Sequence, residues 1–300
     1  MAKWTDKDIP KQDNRTVIIT GSNSGIGFQI AKVLALKGAK VIMACRNADK
    51  SFKAMKKILR KYNQAKLEFI HLDLASLESV KRFTEEFEKK NERLDILINN
   101  AGVMATPYRK THEGFEYQFG INHLGHFALT GHLIGMLMKT VGSRVVTITS
   151  IAHFKGKIHF NDLSGASWYR RMEAYRQSKL ANILFAYELH KRLGESGLST
   201  ISAAAHPGIS STNIVWLPFP VNYLKSLILM SAAKGALPAL MGATDARIKG
   251  GEYIGPGGIW QFFGYPEILI SGEMSYNEEL WKRLWTVSEE MTGISYLSID

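Results

Sequence analysis

Short β-branched and apolar runs alternate with helical patterns along the first two-thirds of the chain. Thr16–Thr20 (TVIIT), Lys40–Ala44 (KVIMA), Leu67–His71, Leu94–Ile98 (LDILI), Arg144–Thr149 (RVVTIT) and Thr200–Ala205 read as strands. Between them, Ile26–Lys37, Asp49–Tyr62, Leu77–Glu92, a stretch from about Gly114 to Lys139, and Ala174–Leu193 read as helices. Strands apolar on both faces and separated by helices predict a buried parallel sheet with helices on either side. The expected architecture is α/β: one doubly wound domain over residues 1–300, with about seven strands. No linker composition and no repeat divides the chain. The last third is less regular, with Gly250–Gly251 and GPGG at 255–258. It is expected to form a substrate-side lobe, with a lid at about 209–235 and a final amphipathic cap helix at about 277–292.

Composition narrows this picture a little. Hydrophobic residues make up 45% and charged ones 22% of the 300, the balance of a globular chain with a sizeable core. The single cysteine, Cys45, excludes an intramolecular disulfide. The polar start MAKWTDKDIPKQDNR lacks the apolar run of a signal peptide or anchor, and a cytoplasmic location is the expectation. Ile121–Met138 is apolar but interrupted by Asn122, His123, His126 and His132, so it reads as a buried core helix. Ile214–Met230 contains Pro218, Pro220 and Lys225, which break a spanning helix. The formal net charge is +11. A Lys-rich solvated surface accounts for it, with a phosphorylated ligand or a peripheral contact with an anionic membrane as alternatives. No basic run interleaved with aromatics points to nucleic acid. The histidines show no ligand spacing with a carboxylate, and no metal site is expected.

The first chemical signal is TGSNSGIG, Thr20–Gly27, lying between a strand and a helix. Gly21, Gly25 and Gly27 permit a tight turn and close backbone approach, while the helix N-terminus offers free N–H groups and a positive dipole end. Such a loop, with Ser22, Asn23, Ser24 and Ile26 among the glycines, predicts a pyrophosphate cradle of a Rossmann-like sheet. The second strand ends ACRNADK. No acid precedes Asp49 to grip a ribose 2′-hydroxyl, and Arg46 stands where a 2′-phosphate would arrive, so NADP(H) is read over NAD(H). Asp73 closes the third strand, either contacting adenine or capping the next helix. Asn122, in an apolar helical stretch, is either a structural hydrogen-bonder or a member of a proton relay.

Three Tyr–Lys pairs share helical i, i+4 spacing: Tyr62–Lys66, Tyr175–Lys179 and Tyr187–Lys191. A nearby ammonium holds a phenol closer to deprotonation, as acid/base work requires. Only Tyr175–Lys179 begins its helix directly after the loop from Ser150, at the strand edge where the glycine loop would place a cofactor.

The ordered set TGSNSGIG, Asp73, NNAG at 99–102, Asn122, Ser150, YRQSK at 175–179 and HPG at 206–208 resembles the short-chain dehydrogenase/reductase family. ACR at 44–46, TSIAH at 149–153 and SKLANILF at 178–185 resemble its retinol-dehydrogenase-like branch, and GGEYIGPGG its bacterial members. The resemblance implies Ser150, Tyr175, Lys179 and Asn122 as the catalytic set, with Asn122 holding a water that links Lys179 to solvent. It implies Asp73, Leu74, Asn100, Ala101, Gly102, Pro207, Gly208 and Thr212 as further cofactor contacts, with Tyr175 and Lys179 also touching the cofactor, and it permits a homodimer or homotetramer. The function expected is NADP(H)-dependent hydride transfer on a hydrophobic aldehyde, ketone or alcohol. Alternatively, the chain is a non-catalytic NADP(H)-bound sensor on the same fold. Trp216, Leu217, Phe219 and Tyr223 suit an apolar lid, although packing on the body or a dimer face would also use them.

Overall fold

A computed structural model of the chain describes residues 3–208 and 231–296. Eight strands form one sheet in the order β3-β2-β1-β4-β5-β6-β7-β8. They are β1 Thr16–Thr20, β2 Lys40–Cys45, β3 Lys66–His71, β4 Ile96–Asn99, β5 Arg144–Ile148, β6 Ile201–Ala205, β7 Tyr253–Pro256 and β8 Pro266–Leu269. All neighbours are parallel except β7 and β8. Among the described residues, the seven longer helices are α1 Gly25–Leu36, α2 Ala48–Leu59, α3 Leu77–Lys90, α4 Gly125–Lys139, α5 Arg171–Glu195, α6 Ala232–Thr244 and α7 Glu278–Thr292.

Alternation along the central strands builds two apolar layers. Val17 and Ile19 of β1, with Val41, Ile96 and Val146, pack beneath α1 and α6. Ile18, Ile42, Leu97 and Val145 face the other way, beneath α3, α4 and α5. The strand order reverses between β1 and β4, which opens a crevice at the carboxyl ends of those strands.

Two elements were not anticipated. Helix α6 lies in the region read as irregular, because Gly235 to Thr244 are buried all round and leave no polar face to give a period. Its cap Ser231 accepts a hydrogen bond from the Lys234 N–H, so residues 231–235 of the expected lid begin this helix. The remainder of that lid, including Thr212, Trp216, Leu217, Phe219 and Tyr223, lies outside the described residues. Strand β8 is a four-residue edge with Glu267 and Ile268 exposed, which makes the sheet eight-stranded rather than about seven.

The helix expected from Gly114 starts later. Thr111 N–H donates to Phe115 O in a tight reversal, and Glu116 then caps a helical turn by accepting from the N–H groups of Gln118 and Phe119. The chain continues through a π-helical segment, Gly120–Leu124, before α4. There the Gly125 N–H reaches Gly120 O, five residues back. Both glycines are obligatory, since a Cβ at Gly120 would lie 2.4 Å from Thr111 Cγ2 and one at Gly125 2.6 Å from Leu74 O. Among the described residues, no helix is long and apolar enough to cross a membrane, and no cluster of His, Cys, Asp or Glu could hold a metal ion.

Candidate active site

The crevice at the strand-order reversal is a cavity of about 940 Å³, at the upper end of single-ligand sites. The loop after β1 forms one wall. Gly21 (φ +66) and Gly25 (φ +57) adopt the left-handed backbone that glycine allows. A Cβ on Gly27 would lie 2.5 Å from Asn100 Nδ2 and 2.6 Å from Gly21 O, so the loop is packed to backbone thickness. Helices α2 and α3 are closed by the side chains of Asn47 and Ser76, whereas Ser24 makes no side-chain cap on α1. The first N–H groups of α1 are left to a ligand, and the dipole there favours an anion. Asn23, Ser24, Gly25, Ile26 and Gly27 line the cavity, as Gly21 does. Ser22 does not: it is buried, donates to Ile19 O at 3.0 Å and approaches Cys45 Sγ.

The turn after β4 is tied to this loop through Thr20. Its Oγ1 accepts from the N–H groups of Asn100 (2.9 Å) and Ala101 (2.8 Å), and Asn100 Nδ2 donates to Thr20 O at 2.7 Å. With both lone pairs used, the Thr20 hydroxyl proton faces His126 Nε2 at 2.9 Å, nearer than Ile98 O at 3.4 Å. His126 Nδ1–H then faces Asn122 O at 3.0 Å, which fixes a neutral imidazole. Burial lowers its pKa to about 4, consistent with that tautomer.

Asn122 is fully engaged. Its Oδ1 accepts from Val103 N–H at 2.8 Å, and its Nδ2 donates to Val103 O and Ser178 Oγ, each at 2.9 Å. The side chain splints the turn at Gly102 rather than lining the cavity. A water-holding role would fall to its backbone carbonyl, which already accepts from His126.

At the adenosine end, Arg46, Asn47, Lys50, Asp73 and Leu74 line the cavity. Arg46 Nη1 donates to Tyr117 Oη at 3.3 Å and lies 3.9 Å from Asp73 Oδ2. The hydrogen bond to Tyr117 and the charge of Asp73 raise the guanidinium pKa, so it is always cationic. Asp73 does not cap α3, a role taken by Ser76; its Oδ1 accepts from Ala75 N–H in the preceding turn, and the residue lines the cavity. Asn47 and Lys50 were missed, although Lys50 closes the ACRNADK stretch that drew attention to Arg46.

Opposite stand Ser150, Tyr175 and Lys179, with Pro207 and Gly208 beside them. Thr149 Oγ1 donates to Lys179 O at 2.7 Å and docks α5 on β5. Lys179 is buried, pairs with no carboxylate among the described residues, and donates to Ile148 O at 3.0 Å. Burial lowers its pKa to about 7. Its ammonium lies 5.8 Å from the centroid of the Tyr175 ring. Burial raises the Tyr175 pKa, and the Ser150 side chain opposes that rise. The other Tyr–Lys pairs are elsewhere. Tyr187 Oη meets Ser271 Oγ in the core and Lys191 pairs with Glu278 at the surface. Tyr62 packs on the α1 side of the sheet, and Lys66 begins β3.

His206 stacks on Tyr253 and His153 meets the same ring edge-on, with centroids 5.2 and 5.1 Å away. His153 Nδ1–H also donates to Ser150 O at 2.7 Å, and its Nε2 accepts from Gly272 N–H. The apolar wall includes Phe154, Met172, Trp260 and Phe262, none of which the sequence singled out.

A sequence model described as short chain dehydrogenase matches residues 15–217. Human retinol dehydrogenase 14 is 38% identical, over 93% of this chain and 87% of its own length. Retinol dehydrogenase 12 of Mus musculus is 39% identical (97% and 90%), and polyprenol dehydrogenase of Danio rerio 36% (96% and 89%). A crystal structure of an uncharacterized Mycobacterium paratuberculosis protein superposes with a TM-score of 0.84 at 38% identity, covering 98% of this chain and 99% of that one. The span matched by the sequence model holds the glycine loop, the NNAG turn and the Ser150–Tyr175–Lys179 constellation, and the chain belongs to the short-chain dehydrogenase/reductase family, in its retinol-dehydrogenase-like branch.

Proposed function

We propose that the protein is an NADP(H)-dependent oxidoreductase acting on the carbonyl or alcohol group of hydrophobic substrates. Members of the family bind a nicotinamide cofactor, and relatives named for retinol and polyprenol act on apolar alcohols. The observation carrying the proposal is that Ser150, Tyr175 and Lys179 share one cavity with an uncapped, glycine-lined helix N-terminus. Those features fit a dinucleotide: the free N–H groups of α1 suit its pyrophosphate, and Arg46 with Lys50 suits a 2′-phosphate. NADP(H), when bound, supplies or accepts the hydride.

The chain's own residues manage the proton. Ser150 Oγ orients the substrate oxygen, and Tyr175 donates its hydroxyl proton to that oxygen, or removes it in the oxidative direction. A cationic Lys179 favours the tyrosinate against the effect of burial. The histidine and threonine bridge from Asn122 O to the NNAG turn keeps the cofactor wall in register with the π-helical segment, which Asn122 Nδ2 ties to Ser178 of α5. Phe154 and Met172, nearest in sequence to Ser150 and Tyr175 on the cavity wall, shield the reacting end from water.

The test follows absorbance of NADPH with the purified chain and a panel of apolar aldehydes and ketones. Turnover on apolar members supports the reading. Tight NADPH binding with no turnover across the panel moves the assignment to a cofactor-bound sensor.

Lys179 supplies a second expectation. If the cofactor prefers the ammonium, binding takes up a proton wherever free Lys179 is neutral. A base with a free-state pKa of about 7, raised on binding, gives full affinity below pH 7 and loses it as pH rises toward the bound-state pKa. NADPH affinity should weaken between pH 7 and 9 by up to about tenfold per unit. In Lys179→Met that slope should vanish. An equal slope in both proteins, measured by fluorescence titration, assigns the dependence to another group.

A further inference from the structure

The loop joining β7 to β8 holds a large ring at the rim of the cavity. Trp260 is 79% exposed, yet lines the cavity with Phe262, whose ring meets it edge-on at 5.9 Å. Trp260 and the next residue, Gln261, both have left-handed backbones (φ 51 and 60), which residues with a Cβ rarely adopt. The loop is over-determined around them. Gly257 N–H donates to Tyr265 O and Gly258 N–H to Phe263 O, each at 2.9 Å. The Gln261 side chain accepts from Tyr253 Oη at 3.1 Å and donates to Ile270 O at 3.3 Å.

Tyr253 is the same ring that His153 and His206 contact, and His153 bonds Ser150 O. The loop is therefore keyed by a continuous set of contacts to the end of the cavity where Ser150 and Tyr175 stand. Phe154, just past Ser150, and Met172, one turn before Tyr175, are also exposed and line the same cavity. A large ring held in a rare conformation, projecting past an apolar wall, is placed to cover something that extends beyond the reacting group.

We infer that Trp260 is a specificity-determining residue of this site, forming with Phe262 the outer wall for the distal part of an extended apolar chain whose oxygenated end lies at Tyr175. The inference rests on the hydride-transfer reading for where that end lies. It selects long-chain alcohols and aldehydes over short ones of the same head group, because a short chain ends before it reaches the ring.

The test compares the native chain with Trp260→Ala and Trp260→Phe, in two measurements. The first is calorimetric binding of decanol and of propanol to the NADP-loaded protein. The second is NADPH-dependent turnover of decanal and propanal. Trp260→Ala should weaken decanol binding and raise KM for decanal about tenfold. Propanol binding, propanal kcat/KM and NADPH affinity should be unchanged, and Trp260→Phe should restore most of the loss. A Trp260→Ala protein that keeps the native preference for decanol overturns the inference, as does a native protein that binds both alcohols alike. Chain-length-dependent binding lost in Trp260→Ala, with no turnover of either aldehyde, upholds the wall and overturns the hydride-transfer reading instead.

Discussion

Tyr175→Phe should lower kcat for an apolar aldehyde by about 10²–10⁴-fold, the usual contribution of a positioned general acid. The substitution removes one oxygen from a side chain packed at the cavity wall, so no cavity opens and the fold should be untouched. The hydroxyl meets the Ser150 side chain at the cavity, whereas the Tyr187 hydroxyl bonds Ser271 and the Tyr296 hydroxyl bonds Phe127 O in the core. Dissociation constants for NADPH should change by less than a factor of about three, because the phosphate contacts lie with the α1 loop and Arg46. The proton cannot come from a substitute. Ser150 is an ordinary hydroxyl with a far higher pKa than a phenol, and Lys179 sits 5.8 Å from the ring centroid rather than at the reacting oxygen. Stopped-flow or steady-state NADPH oxidation reads the result. A Phe variant with native kcat would remove Tyr175 from the chemistry and leave Ser150 or a bound water as the acid.

That prediction depends on a site which the sequence showed unevenly. The strands β1 to β6 were readable because β-branched residues buried on both faces leave short apolar runs between helical periods. Helix α6 was not, since Gly235, Ala236, Ala239, Gly242 and Ala243 carry no polar stripe and Pro238 reads as a breaker. The glycine loop, Arg46, Ser150, Tyr175 and Lys179 meet at one cavity because each is fixed to a strand end or a helix start, positions that the periodicity itself locates. Ser22 shows the limit of a loop motif: neighbours in sequence face opposite ways, and its hydroxyl turns into the core. Asn122 shows another. Its partners Val103 and Ser178 come from two different segments, and the π turn that aims it needs Thr111 and Leu74 O beside Gly120 and Gly125. His126, Trp260 and Phe262 have roles set by tertiary neighbours alone, and no local pattern marked them.

Arg46→Ala should weaken NADPH binding by about 10–100-fold while leaving NADH binding within about a factor of three, so that the preference between the two collapses. The range follows from the chemistry of the contact. A guanidinium paired to a phosphate is a charge-assisted, bidentate contact, stronger than one between neutral groups. Arg46 is 62% exposed in its side chain, however, and water and salt screen part of that energy, which places the effect below that of a buried pair. Asp73 works in the same direction. Its carboxylate lies 3.9 Å from the guanidinium, and once Arg46 is gone it confronts an incoming phosphate without compensation. Lys50, on the same wall, retains part of the attraction and keeps the loss from being total. Arg46→Asp should go further, repelling the 2′-phosphate and offering a carboxylate to a free 2′-hydroxyl, so that NADH becomes the tighter ligand. Raising the salt concentration should narrow the native preference and leave the Arg46→Ala ratio nearly flat, because only a charge-dependent contact is screened. Equal losses for NADPH and NADH in Arg46→Ala would instead place this residue's role in holding Tyr117 and Asp73, with the phosphate bound by Lys50 or the α1 loop.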